Sequence, residues 1–329
     1  MKALLKAAAA VLVSLSFLAP VSVAPLHAGE AIDALNIIAA PSEPPAVPVI
    51  EPPAEPAVNY VSAARPLKVY FLNVGQGDSQ YIELPNGKNV LIDGGPSKSS
   101  HSFLAQFMTM QNVTKIDYVV LTHPHSDHYK GLNWIFNNFT VGRFYDTKMD
   151  NTGAKTDDLL REQVKGRSIS VSYPASGDTL DWDPSVQVKV LNSCPEPVQS
   201  DDGNTINNCS IAIKVSYQGT SALFTGDMEA PVESVLISKF GAELRSDILK
   251  VAHHGSQTAT SVPFLAAVKP SSAYISVGKN SYGLPVPAIV DRLKAAGVKV
   301  RRTDEYGTQE VVFGAPAPVA AAGEFAFAQ

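Results

Sequence analysis

Residues 121–131 read LTHPHSDHYKG, and within them His123, His125, Asp127 and His128 form an H-x-H-x-D-H cluster. Imidazole nitrogen and carboxylate oxygen are ligands for Zn²⁺, Mn²⁺ or Fe. The i, i+2 spacing lets His123 and His125 point the same way from an extended turn, while Asp127 and His128 turn toward a neighbouring point. One short segment can therefore seed two adjacent metal sites. The bland alternative is a polar surface loop. Against it, three of the chain's seven histidines fall in these six residues.

Two further segments end apolar runs with groups of the same chemistry. Leu223-Phe224-Thr225-Gly226-Asp227 delivers a carboxylate whose two oxygens can bridge two cations, and Leu249 to Ser256 reads LKVAHHGS with the adjacent pair His253 and His254. In that pair one histidine can be a ligand and the other can face a substrate. A glycine-aspartate turn and two surface histidines are the plain readings of these segments taken singly. Upstream, Asp78 in NVGQGDS and Asp93 in LIDGG are expected to hold ligand imidazoles by hydrogen bonds, as metal sites generally require. Each is otherwise an ordinary turn residue.

These groups need strand ends to carry them. The apolar run Ile116–Leu121 reads as a buried strand that delivers the cluster to the loop beyond it. Strands are also predicted at 67–72, 80–84, 89–93, 186–191, 211–217, 221–224, 247–251, 273–277, 298–301 and 309–313. Helices are predicted at about 101–111, 129–137, 157–165, 229–240, 262–268 and 287–296. Hairpins with interspersed helices, repeated twice, predict a layered α/β sandwich.

The 329 residues, 45% of them hydrophobic, can build a sizeable core. Residues 1–28 read as an export signal, with Lys2 and Lys6 ahead of the apolar stretch Ala7–Leu18 and a small-residue cleavage site at Leu26-His27-Ala28. An uncleaved N-terminal anchor is the alternative. Residues 29–65 form a Pro/Ala-rich linker, 66–314 the folded domain and 315–329 a loose tail. An exported chain, periplasmic or extracellular and without a membrane span after signal cleavage, is the expectation. The formal net charge of −5 does not fit a dedicated duplex-DNA binder, which is usually basic. Lys294, Lys299, Arg301 and Arg302 read as a solvated face or a phosphate contact. Cys194 and Cys209, fifteen residues apart, fit a disulfide in an exported protein. Cys209 as a thiolate ligand is the other reading.

The ordered set NVGQGDS, LIDGG, LTHPHSDH, LFTGDM, LKVAHHGS and ISVGKNSYG resembles the metallo-β-lactamase superfamily. Within it, the set is most similar to the hydrolase domain of ComEC-type DNA-uptake proteins and their free-standing secreted relatives. The resemblance covers about residues 66–313. It implies an αββα sandwich, two mixed β-sheets flanked by helices, with a metal site at one edge. It implies two divalent metal ions, Zn or Mn, with His123 and His125 on one, Asp127, His128 and His254 on the other, and Asp227 bridging. Asp127 and His253 would take catalytic roles, His253 beside a substrate phosphate, and Lys130, Asn280 and Tyr282 would line the substrate side.

The chain departs from the superfamily pattern in three places. No histidine occurs between His128 and His253, where many members have a further first-site ligand, and Asn207-Asn208-Cys209-Ser210 stands in that region. Leu284 replaces a histidine of the ComEC-like YGHP loop. Lys130 replaces a usual glycine and adds charge at the pocket mouth. The function implied is metal-dependent phosphodiester hydrolysis by a water activated between two cations, with extracellular DNA or another phosphodiester as substrate. A lactone or ester hydrolase is the alternative. A catalytically weak metal or nucleic-acid binding module is a third reading, motivated by the missing histidine and Leu284.

Overall fold

Alternation of buried side chains along the strands sets the architecture. Val69 and Phe71 face one core while Tyr70 and Leu72 face another, and Val90 and Ile92 likewise oppose Leu91. A strand buried on both faces sits inside a layered domain. The structure, a computed structural model, describes residues 65–314. The expected signal, nearly all of the linker and the tail lie outside the described residues.

The elements run β1 (Leu67–Phe71), β2 (Gln80–Glu83), β3 (Asn89–Ile92), α1 (Lys98–Met110), β4 (Lys115–Val120), α2 (Ser126–Tyr129), α3 (Leu132–Asn138), β5 (Thr140–Tyr145), β6 (Met149–Asn151), α4 (Thr156–Gly166), β7 (Ser170–Ser172), β8 (Gln187–Asn192), β9 (Val198–Ser200) and α5 (Gly203–Asn208). The second half continues with β10 (Ala212–Tyr217), β11 (Thr220–Phe224), α6 (Ala230–Phe240), β12 (Ile248–Lys250), α7 (Val262–Val268), β13 (Ser272–Ile275), α8 (Pro287–Ala295), β14 (Lys299–Arg302), α9 (Thr303–Tyr306) and β15 (Gln309–Phe313).

One seven-stranded sheet has the order β15-β1-β2-β3-β4-β5-β7, and a six-stranded sheet the order β14-β13-β12-β11-β10-β8. Both are mixed, with antiparallel hairpins at one side and parallel neighbours such as β3–β4 and β11–β12 at the other. Val69, Phe71, Val90 and Val120 of the first sheet share a core with Val188, Ile213, Phe224 and Ile248 of the second. The outer face of the first sheet packs on α1, α3 and α4 through Leu104, Phe107, Ile135, Phe136 and Leu160. The outer face of the second packs on α6, α7 and α8 through Leu236, Phe264 and Leu293. This is the helix–sheet–sheet–helix order expected from the sequence.

The sequence reading missed β5, whose alternation is interrupted by Gly142 and Arg143, and the short parallel pair β6–β9. The single helix expected at 129–137 is two helices, α2 and α3, broken at Lys130-Gly131. A Cβ on Gly131 would lie 1.7 Å from the Gly94 carbonyl oxygen, so the break lets the helix pair seat against the loop after β3.

Candidate metal centre

Parallel strand ends place the chemistry. β4 stops at Val120, His125 stands at the N-cap of α2, and Asp127 and His128 fall in that helix's first turn. The glycine turn after β1 clamps this loop, since the Asp78 N–H donates to the Asp127 carbonyl at 3.1 Å. Gly77, at φ +155°, permits the approach, because a Cβ there would lie 2.3 Å from the same oxygen. Asp227 follows the neighbouring end of β11, and its N–H donates to Ser210 Oγ at 3.0 Å. Beyond β12, His253 (φ 49°, ψ 45°) and His254 (φ 52°, ψ 23°) are both left-handed. Such conformations cost about 1–3 kcal/mol each and persist where the surroundings impose them.

The hydrogen bonds fix which nitrogen each imidazole presents. His254 Nδ1 lies 2.8 Å from the Ser276 carbonyl oxygen, which can only accept, so Nδ1 carries a proton. His128 Nδ1 donates in the same way to Asp93 Oδ2 at 2.8 Å. The Thr122 hydroxyl gives its proton to Asp93 Oδ2 at 2.7 Å, so its oxygen accepts from His123 Nδ1 at 3.1 Å. All three rings therefore turn Nε2 inward. Those atoms lie 4.0 Å (His123), 3.3 Å (His128) and 3.4 Å (His254) from one oxygen, Asp227 Oδ2. Asp127 Oδ2 is 3.2 Å from His254 Nε2, and His125 Nδ1 is 3.0 Å from His123 Nε2. His128 Nε2 and His254 Nε2 are buried without a hydrogen-bond partner. Lone pairs converging on a carboxylate oxygen call for a cation among them, and the donor set suits a divalent metal.

The electrostatics say the same. Burial alone would push His128 down, yet Asp227, Asp93 and Asp127 carry it well above its ordinary value. Asp227, working against its burial, is held well below the usual carboxylate range by His254, His128 and Lys250. His254 is raised against burial by Asp227 and Asp127. His123 is driven well down by burial and by His128. The carboxylates thus favour positive charge beside two of the imidazoles, which a bound metal would supply.

The other expected residues are less uniform. Asp93 holds an imidazole, but Asp78 is 3.9 Å from His128 Nδ1 and instead pairs with Lys250 and accepts from Gln80 Nε2. Asp227 presents one oxygen to the three imidazoles and the other, at 3.6 Å, to Lys250 Nζ. His253 stands at the rim with its side chain 26% exposed, and its Nδ1 is 3.3 Å from Glu229 Oε1. Asn280 spends its amide within its own loop, on the Gly278 and Leu284 carbonyls and the Tyr282 and Leu284 N–H groups. Tyr282 is 77% exposed, and Lys130 caps α2 half-buried. Cys194 and Cys209 form a disulfide, which removes the thiolate-ligand reading.

Two residues of the site carried no assignment from sequence. Lys250 is 1% exposed and donates to the Gly226 carbonyl at 2.9 Å while facing Asp78 and Asp227. A charge inside the apolar strand Ile248-Leu249-Lys250-Val251 was the available signal, since lysine is almost never fully buried unless paired. Glu229, 4% exposed, accepts from Asn207 and Thr258 and orients His253. It had no signal beyond its nearness to Asp227.

A family model for the metallo-beta-lactamase superfamily matches residues 72–279, more than half of the chain. The chain belongs to the metallo-β-lactamase superfamily. Among relatives of this superfamily member, ComE operon protein 3 of Bacillus subtilis (strain 168) is 28% identical over 258 residues, 73% of this chain and 32% of that protein. Competence protein ComA of Neisseria gonorrhoeae is 28% identical over 243 residues, covering 74% and 32%. Recombination protein 2 of Haemophilus influenzae is 27% identical over 251 residues, covering 75% and 29%. The chain thus spans about a third of the length of these relatives. The matches to competence proteins bear out the ComEC-type resemblance of the motifs. Metallo-β-lactamase proteins are in general metal-dependent hydrolases, and the His/Asp clusters described above are among the groups of the described residues able to hold a divalent cation. Among the described residues no helix is long and apolar enough to cross a membrane.

Proposed function

We propose that this protein is an exported metal-dependent phosphodiesterase acting on DNA or another phosphodiester. The observation that carries the reading is the convergence of three Nε2 atoms on Asp227 Oδ2, at 4.0, 3.3 and 3.4 Å. His123 and His125 would hold one cation and Asp127, His128 and His254 a second, and the Asp227 carboxylate would serve both. Divalent metals bound there would supply Lewis acidity and a water of near-neutral pKa. The chain's own groups do the rest. Asp93, Thr122 and Ser276 keep Nδ1 of each ring protonated, so the ligand lone pairs are preset before any metal arrives. Lys250 balances part of the carboxylate charge. Glu229 and Thr258 hold His253 Nδ1, at 3.3 and 3.2 Å, and leave the rest of the ring at the rim, where it would stand beside a substrate phosphate as charge develops during hydrolysis. Asp127, its side chain 31% exposed, is the site carboxylate open to solvent and can accept a proton from the attacking water.

Three observations support the substrate class and location. The relatives are named for competence and recombination, and recombination is a reaction of DNA. The N-terminal segment reads as an export signal, and a disulfide suits an oxidising compartment. The test is hydrolysis of bis(p-nitrophenyl) phosphate and of a simple lactone by one metal-loaded preparation, wild type against Asp127→Ala. Phosphodiester turnover lost in the variant supports the proposal. Turnover of the lactone alone, or equal rates in both proteins, overturns it.

A further inference from the structure

We propose that Asp150, Asp157 and Asp158 form a second cation site, separate from the His/Asp centre, that takes one Ca²⁺ ion and ties together two elements supporting the metal loop.

Each of the three carboxylates offers one oxygen, and these oxygens lie within 4.8 Å of one another. Two elements bring them together. Asp150 is the middle residue of β6, and Asp157 and Asp158 fall in the first turn of α4. Asp157 is the decisive member. It is 0% exposed, and its Oδ2 accepts from Arg161 Nη1 at 3.0 Å, but its Oδ1 is buried with no hydrogen-bond partner. A carboxylate oxygen buried in this way has lost its hydration without compensation and calls for an explanation. Arg161 does not supply it. The same guanidinium donates Nε to Asp146 at 2.8 Å and Nη2 to the Met149 carbonyl at 2.8 Å, and stands 4.0 Å from Asp158. One positive charge thus serves the four carboxylates of Asp146, Asp150, Asp157 and Asp158. A divalent cation shared by Asp157 and its two neighbours offsets most of the remaining charge and satisfies the bare oxygen. Asp158, its side chain 56% exposed, and the half-buried Asp150 open the site to solvent.

The donors are carboxylate oxygens alone, which suits a hard cation and not Zn²⁺. Ca²⁺, with contacts of about 2.3–2.6 Å, bridges oxygens up to about 5 Å apart and accepts irregular sets completed by water. Mg²⁺ binds at about 2.0–2.1 Å and demands a near-ideal octahedron. The placement gives the ion its role. Asn151, next to Asp150, donates Nδ2 at 3.2 Å to the carbonyl of Pro124, the residue between His123 and His125. Thr156, next to Asp157, is hydrogen-bonded to the hydroxyl of Tyr129, the residue after His128. A cation joining β6 to α4 therefore fixes two supports of the loop that carries the H-x-H-x-D-H cluster.

The test is Ca²⁺ binding by the full chain, read by equilibrium dialysis with radioactive Ca²⁺. The protein is first saturated with Zn²⁺ to occupy the His/Asp centre, and bound Zn²⁺ is counted throughout. Wild type is expected to take up one Ca²⁺ with a dissociation constant of about 10⁻⁴–10⁻³ M, the range of extracellular Ca²⁺ modules, and to keep its Zn²⁺. Asp150→Asn and Asp158→Asn each remove one charge with little change of shape, and each is expected to weaken Ca²⁺ binding at least about tenfold. No uptake by wild type at about 10 mM Ca²⁺, well above that range, overturns the proposal. So does uptake that both variants retain unchanged, or uptake matched by Zn²⁺ released, since the ion then sits elsewhere. Displacement by equimolar Mg²⁺ overturns the choice of Ca²⁺. Should Asp150→Asn not fold, the exposed Asp158→Asn decides alone.

Discussion

Lys250 stands behind Asp227, its Nζ 3.6 Å from Oδ1, while Oδ2 of the same carboxylate faces His128 and His254 at 3.3 and 3.4 Å. One aspartate therefore divides its oxygens between a fixed internal cation and the metal-competent side. Burial works against charge on Lys250, but Asp78 and Asp227 raise its pKa above the ordinary value, so it stays an ammonium. Replacing it with a neutral chain of similar shape leaves two buried carboxylates uncompensated. Breaking a buried pair in this way costs about 3–5 kcal/mol. Lys250→Met is therefore expected to lose that much stability in chelator and less with Mn²⁺ or Zn²⁺ present, because the metals restore positive charge. Urea unfolding under both conditions measures the difference. A loss below about 1 kcal/mol in both would contradict this account of Lys250.

Gly77 lets the turn after β1 touch the metal loop. A Cβ there would meet the Asp127 carbonyl oxygen at 2.3 Å, and both partners are backbone. Gly77→Ala is expected to destabilise by about 1–3 kcal/mol through overpacking and to weaken the Asp127/His128 metal site, because the carbonyl it pushes belongs to Asp127. Gly166, at the end of α4, is the control, since a Cβ added there would meet nothing within 4 Å. Gly166→Ala should leave metal binding unchanged and cost nothing in stability. Thermal melts with and without metal check both.

The strand ends were legible because polar ligands interrupt apolar runs, as at Leu121–His128 and Leu249–His254. The grouping of these loops was not, since it depends on sheet order, and β3–β4 and β11–β12 are parallel neighbours joined by long connections. Asp93 was readable as an imidazole holder, whereas Asp78 has the same local pattern but a different partner. Lys250, which took that partnership, comes from the other sheet. Asn280 shows the converse case, a residue placed near chemistry by motif but committed by hydrogen bonds to its own loop. The break between α2 and α3 was missed because helical periodicity continues across it. The constraint at Gly131 is contact with Gly94, remote in sequence.

Asp183 gives a pH signature away from the metal centre. Its carboxylate accepts from the Asn86 N–H at 2.7 Å and from the Ser185 N–H and hydroxyl at 2.7 and 2.6 Å. Burial opposes the charge, but these donors win and hold the pKa below the usual aspartate value. A depressed folded value means the carboxylate's contribution is fully present above the unfolded pKa near 3.9 and is lost as pH falls through the folded value. Asp183→Asn should therefore cost about 1–2 kcal/mol at pH 7, with the gap to wild type closing as pH drops below about 4. Denaturation curves across that range measure it, and a gap constant down to the acid limit would contradict the assignment.

The Cys194–Cys209 disulfide closes a fifteen-residue separation and packs beside Met149, Ile206 and Val198. Cross-linking a loop of that length removes unfolded-state entropy worth about 3 kcal/mol. Cys194→Ser/Cys209→Ser is expected to lose stability of that order. Cys209 also caps α5, which carries Asn207. Ser210, next to Cys209, places its Oγ 3.3 Å from His123 Nδ1, so the double variant should lower affinity at the His123/His125 site more than at the site of Asp127, His128 and His254. Paired Mn²⁺ titrations of oxidised wild type and the double variant separate the two sites. Equal weakening of both would mean that the disulfide acts on the fold as a whole and not through α5.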